Sequence, residues 1–462
     1  MAAVQQPTSL ATATGVSQNS TDVPVIFAFS DYLDDLHRSV RGKAIPWDGY
    51  QRAAMISDAD MALISAYDRL PAAQQLQAVL DQPNTYFPLL VRLLSAVLRE
   101  DTVQYLLALI DDLLSARPAD FAPQLHKLSV LDSALPWAPF MKLVAKDDPF
   151  TALASAKILT TLLCTYNGPD PVPVDLGPYL SVLAANLRSS NTDTVDLAVQ
   201  NLQSLLSVPS LRLPIYDFQG GKLISGLQDV LVAQPMPQLQ YQAIFCFWLL
   251  SFDPNVAREM EPKFHLITPV TDVAKGATKE KVIRVVMALF RNLVTLAPAE
   301  STVPLIGNKL LPFFDVLKQR KLADSEVGDD LDFLQAYLRE ALQRLSSFDE
   351  YVGEVQSGKL EWSPAHESEL FWKANAAKLA ERDGELVRAL ARVLMTSSDS
   401  IVLAVAAHDL GQFIKYYAQG KKILQEIGAK HRLMEMMSHE NADVRYQALM
   451  AVQKLVSQSW DM

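Results

Sequence analysis

Two stretches of this 462-residue chain set glycine beside lysine, "FQGGKLIS" around Gly221 and Lys222 and "AQGKKIL" around Gly420 and Lys421, the residue types from which phosphate-cradling loops are made. A P-loop wraps a phosphate in backbone amides and needs an earlier glycine at a fixed distance before its Lys and Ser or Thr. Neither stretch has that glycine, so both read as turns with a basic residue opening the next helix. His408 stands beside Asp409 in "AVAAHDLGQF", but a lone histidine in an apolar helical run reads as a satisfied core or half-core residue, not a general base. His439 reads as part of a loop. The seven histidines are scattered, with no H-E-x-x-H or Cys/His cluster and no G-x-S-x-G elbow. Metal, cofactor and nucleophile chemistry therefore find no motif, and no catalytic role is expected.

The elements that would position any site are read from composition first. The chain is too long for one ordinary core, so several domains or a solenoid are expected. Half of it is hydrophobic, 20% is charged and only 17 residues are glycine, which favours packed helices. A net charge of -11 repels phosphate backbones and anionic lipid, which argues against nucleic-acid and membrane-surface binding. Cys164 and Cys246 both lie in apolar helical runs without ligand spacing and read as reduced, buried residues of a cytosolic protein. No apolar run approaches the ~20 residues of a membrane span. The first 21 residues, small and polar, read as a disordered tail.

A recurring helix carries the domain reading. In "ENADVRYQALMAVQKL" Asn441 or Asp443 can cap a helix whose apolar face is Val444, Ala448, Val452 and Leu455. "SDSIVLAVAAHDLGQF" and "TDTVDLAVQNLQSLL" repeat the pattern, with Asp399 five residues before Ala404 and Asp193 five before Ala198. Ala154, Ala198, Ala243 and Ala288, then Ala404 and Ala448, step by about 44 residues, the period of armadillo and HEAT units. The expected fold is all-α, an armadillo/HEAT-like superhelix in two domains. In such helices an Arg after the first Val pairs with a capping Asp, so Arg445 reads as a joint between units, together with Asp443, Asp399 and Asp193. The rhythm breaks between Ala288 and Ala404. The charge run Lys318 to Asp332 reads as a solvated connection, and the short polar stretch 347–354 as a hinge between a solenoid over 22–346 and a smaller helical-repeat domain over 355–462.

Several long stretches are peculiar enough to suggest a family. "FWKANAAKLAERDGELVRALARVLMTSSDS" with the residues from there to Trp460, "LSSFDEYVGEVQSGKLEWSPAHESELFW", "RKLADSEVGDDLDFL" and "IPWDGYQRAAMIS" occur in the order and at distances similar to those of the H subunits of vacuolar-type proton-pumping ATPases. The chain resembles that family over nearly its whole length. The resemblance implies a non-catalytic regulator of the V1 sector that activates ATP-driven proton transport in the assembled pump and inhibits ATP hydrolysis by detached V1. It implies that the N-terminal domain grips the E and G stator subunits. The C-terminal domain then docks alternately on the cytosolic part of the membrane-embedded a subunit and on the rotor, at the cytosolic face of a vacuolar membrane. No cofactor, nucleic acid, small-molecule substrate or membrane insertion is implied. Lys421, Lys422 and Lys430 are the expected contacts with acidic partners. The competing reading is an armadillo-type peptide-binding adaptor, for which Asn201 and Asn292 lie on suitable helices, although the six tryptophans from Trp47 to Trp460 do not recur at the unit period.

Overall fold

The computed structural model describes residues 25–168, 172–233, 236–320, 324–344 and 347–457. The expected tail over 1–21, Trp460 and residues 321–323 of the charge run lie outside them. Among the described residues every regular element is a helix. The fold is all-α and built from helical repeats, as the apolar periodicity requires. Packing divides it into two units, Met1–Phe252 and Asp253–Met462.

In the first unit the helices that carry the repeated pattern stack in chain order. Pro149–Cys164 packs on Thr192–Leu206, and that on Pro237–Leu250. Ala154, Ala198 and Ala243 are buried, because only a methyl group lets neighbouring helix axes approach this closely. The Cys246 thiol sits 3.9 Å from the carbonyl of Val199, and burial pushes the thiols of both Cys246 and Cys164 far above their usual range, which keeps them protonated and inert.

In the second unit Ser400–Tyr416 packs lengthwise on Ala442–Val456, with Ala404 and Ala448 buried between them. Ala288, on Glu280–Leu296, is only half-buried. The rhythm that falls silent after Ala288 continues in three dimensions. Glu280–Leu296 packs on Ser325–Arg344, tied by Arg284 to Asp324 at 2.9 Å and by Arg291 to Asp330 at 2.6 Å. The described part of the charge run thus includes the first turns of a helix and its docking pairs.

The stretch 347–354 differs from the expected open hinge. It is the body of a helix, Ser347–Ser357, in which Tyr351, Gly353, Glu354 and Val355 are buried. Gly353, which in sequence signals flexibility, is there for proximity. A Cβ built on it would stand 2.8 Å from the carbonyl oxygen of Val303, and a Cβ on Gly307 would run into the backbone atoms of Gly353. Two glycines let Pro298–Gly307 and Ser347–Ser357 cross backbone to backbone.

Candidate functional site

The caps show which of the expected joint residues act as such. Asp399 caps Ser400–Tyr416, its Oδ1 accepting from the amides of Ile401 at 2.8 Å and Val402. The other two helices begin two residues earlier relative to their alanines. Asn441 accepts from the amides of Asp443 and Val444, and Asn191 from those of Asp193 and Thr194, so Asp443 and Asp193 occupy the first turn instead of the cap. They still suit the positive end of the helix dipole. Asn441→Ala is therefore expected to destabilise the last helix by about 1 kcal/mol and Asp443→Ala by well under half of that, measured as amide-exchange protection over 442–456. Arg445 holds the turn before its own helix, where a joint made by pairing with a capping Asp was expected. Its guanidinium donates to the carbonyl oxygens of His439 at 2.8 Å and Glu440 at 2.7 Å, not to an aspartate.

The three lysines lie on two adjacent short helices, Gly420–Glu426 and Ala429–Met436, and differ in availability. Lys421 is half-buried and donates to the carbonyl of Ser457, at the end of the last helix, where a cation satisfies an orphan acceptor. Lys422 is exposed with its Nζ 3.9 Å from Glu426, and Lys430 is exposed. Asn201, considered above as a peptide clamp, is 1% exposed and faces the core. Its neighbour Gln200 holds extended backbone instead, accepting from the amide of Phe29 at 2.8 Å and donating to its carbonyl at 2.9 Å.

The most concentrated electrostatics lie elsewhere, in a buried relay within the second unit. Lys309, which precedes the Leu310–Gln319 helix, pairs with Oε1 of Glu354. The other oxygen of Glu354 lies 3.0 Å from Nε2 of His366, whose Nδ1 lies 2.7 Å from Oδ2 of Asp409. Asp409 also accepts from the Tyr351 hydroxyl at 3.1 Å, and its second oxygen lies 3.1 Å from Nδ1 of His408. Trp372 fixes the short helix Pro364–Glu367 that bears the imidazole by donating its indole N–H to the carbonyl of His366 at 2.7 Å. His366 and Asp409 are 0% exposed and Glu354 2%.

Burial alone would strip the proton from His366, but the hydrogen bonds to Asp409 and Glu354 outweigh it and raise its pKa from 6.5 to about 9. Burial likewise pushes the Glu354 carboxyl up, and the bonds from His366 and Lys309 more than reverse this, leaving it below its usual value. At neutral pH the relay thus alternates cation and anion, Lys309, Glu354, His366, Asp409, and its charge sums to zero. Both imidazole nitrogens are donors engaged inside the protein, so the ring joins helices and has no lone pair of its own with which to take up a proton. The linkage has a definite sign. Because the folded pKa exceeds the unfolded one, the stabilisation is complete below pH 6.5 and is lost as pH rises towards about 9. The loss is expected to reach on the order of 3 kcal/mol, read as a falling urea midpoint with Trp372 as fluorescent reporter.

Sequence spacing could not reveal this cluster, since its members come from four separate segments. Asp409 stands out in the sequence for its neighbour His408, whereas the more deeply buried partner is His366. Among the described residues, no three His, Cys, Asp or Glu side chains converge as a metal site, and no helix is long and apolar enough to cross a membrane.

Two family models match in tandem, both described as the H subunit of the V-ATPase, one over residues 31–338 and the other, its C-terminal part, over 344–460. The chain belongs to the V-ATPase H-subunit family. It is 36% identical to the V-type proton ATPase H subunit of Drosophila melanogaster over 94% of this chain and 92% of that one. It is 32% identical to a probable V-type proton ATPase H subunit of Oryza sativa subsp. japonica over 92% of this chain and 97% of the relative. Among solved structures an engineered protein is similar at 16% identity with a TM-score of 0.48, too low to bear on the fold. In the frame of the H-subunit family, the relay straddles the junction of the two matched regions. Lys309 lies in the first, and Glu354, His366 and Asp409 lie in the second.

Proposed function

We propose that the chain is a non-catalytic regulatory subunit of the V1 sector, which activates ATP-driven proton transport in the assembled pump and restrains ATP hydrolysis by V1 once detached. The observation that carries this is the tandem match to both parts of the H-subunit family, over nearly the full length of chain and relatives alike. A helical-repeat protein offers long side-chain-lined surfaces suited to bridging other subunits. In this reading the 31–338 region grips the E and G stator subunits. The 344–457 region docks on the cytosolic part of the membrane-embedded a subunit in the intact pump and on the rotor in free V1, bridging stator and rotor. The protein then acts from the cytosol, held to the face of the vacuolar membrane by its partners.

The helix Ala442–Val456 supports such a dock, because Tyr446, Leu449 and Val456 are exposed on it, apolar side chains of the kind that mark protein contacts. Exposed Lys422 and Lys430 lie on the short helices just before it and supply charge for acidic partners. The test is ATP hydrolysis by detached V1 and by membrane-bound pump, each stripped of its own H subunit, with and without added protein. Inhibition of the first together with activation of the second supports the proposal, and folded protein that alters neither rate refutes it.

A further inference from the structure

We infer that a row of side chains, Trp362, His408, Gln412, Lys454 and Lys415, is a docking patch for an extended acidic segment of a partner subunit that also carries a large apolar side chain. The inference rests on the regulatory reading above and names a partner chemistry for the 344–457 region. The row is continuous across two packed helices, Ser400–Tyr416 and Ala442–Val456. Trp362 is 41% exposed and stands edge-on to the His408 ring, with centroids 5.1 Å apart. Nδ1 of His408 lies 3.1 Å from the Asp409 carboxylate, which only accepts, so this nitrogen carries the proton. Nε2 is left to accept from the Gln412 amide nitrogen at 2.9 Å, and this turns the Gln412 carbonyl oxygen to Lys454, whose Nζ donates to it at 3.4 Å. The buried Asp409 thus fixes, through two side chains, where an ammonium stands.

That ammonium lacks a counter-charge. It is half-buried, its one hydrogen bond among the described residues is to a neutral oxygen, and burial, then the neighbouring Lys415, hold its pKa below the ordinary lysine value. Other half-buried lysines of the chain are paired, Lys157 with Asp111 at 2.9 Å and Lys309 with Glu354, as desolvated charges require. Beside Lys454, Lys415 and Lys373 share one carboxylate, that of Glu369, at 3.7 and 3.1 Å. Three lysines against one glutamate give the patch an excess of positive charge on a chain whose net charge is -11, the local complement of an acidic segment. The overall charge repels an anionic membrane, which favours a peptide over a lipid surface. Spacing sets the shape of the occupant. From His408 to Lys415 the helix rises about 10 Å, the reach of about three residues of extended chain. An apolar side chain of the partner on Trp362 therefore places a carboxylate about three residues away between Lys454 and Lys415, and an exposed tryptophan is the kind of anchor that carries binding energy.

The probe is a set of labelled heptapeptides, each with one Phe and a Glu-Glu pair two, three or four residues from it, titrated against the full-length protein by fluorescence anisotropy. At least one spacing is expected to bind, with affinity falling about tenfold or more in Trp362→Ala and in Lys454→Met, and unchanged in Lys146→Gln, which alters an exposed lysine of the first unit. Binding should also weaken as salt is raised. No binding at any spacing overturns the patch, as does binding that survives both substitutions. Binding of phosphatidylserine vesicles in place of the peptides overturns it in favour of a lipid surface. With stripped V1 and stripped pump, Lys454→Met should leave at least one of the two about tenfold faster than wild type does. Wild-type dissociation from both would overturn the assignment of the patch to a partner subunit. Wild-type protein that binds the peptides but neither V1 nor pump refutes the regulatory reading and leaves the patch standing as a peptide site.

Discussion

His366→Ala is expected to lower the stability of the second unit by about 4 kcal/mol, because it leaves Glu354 and Asp409 buried without the cation between them. Lys309 compensates only the outer oxygen of Glu354, and the Tyr351 hydroxyl only part of Asp409. The effect should be local. Trp372, whose indole bonds to the His366 carbonyl, reports it as a urea transition shifted to lower concentration, whereas exchange protection in Thr192–Leu206 stays unchanged. The variant His366→Ala, Asp409→Asn should recover part of the loss, since it removes one of the two stranded charges. A loss under about 1 kcal/mol for His366→Ala would show that the site is held by packing and not by charge.

Gly307→Ala is expected to be comparably severe, about 3 kcal/mol or more, since the new methyl would meet backbone atoms that have no rotamer by which to withdraw. Gly353→Ala should follow, with its Cβ 2.8 Å from the Val303 carbonyl oxygen. Gly328→Ala is the internal control. It lies in the helix Ser325–Arg344 with nothing within 4 Å of an added Cβ, so the same substitution there should stabilise by about 0.5–1 kcal/mol. Thermal or urea unfolding of the three variants checks the order. Equal effects at 307 and 328 would mean that the helices do not cross this closely.

Much of the fold was legible because helix periodicity and small residues at a fixed step are local signals. Ala198, Ala404 and Ala448 are buried where the repeat requires, and Asp399 caps its helix as its position before Ile401 suggests. Cap choice at the other two was not legible, since Asn191 and Asp193, or Asn441 and Asp443, are chemically equivalent acceptors two residues apart. Only the point at which the backbone leaves the extended region selects between them. The stretch 347–354 misled for a different reason. Glycine and serine signal both loops and close helix crossings, and composition carries no information about whether a partner backbone lies opposite. The relay was the least legible of all. Lys309, Glu354, His366 and Asp409 have no common spacing, and the one local sign was an aspartate set among alanines and leucine in an otherwise apolar helix. A buried carboxylate demands a partner, but the sequence cannot say from which segment it comes.

The architecture of this joint depends on His366 carrying a proton at neutral pH. The most direct measurement is the 15N and 13C imidazole signals of the full-length protein with labelled histidine. Seven histidines are present, and the His366→Ala variant identifies the resonance that disappears. The imidazolium pattern, with both nitrogens protonated and no titration until the pH approaches about 9, is the expected result. A single-tautomer neutral ring at pH 7, or titration near the ordinary 6.5, would contradict it and leave Glu354 and Asp409 without the charge that joins them.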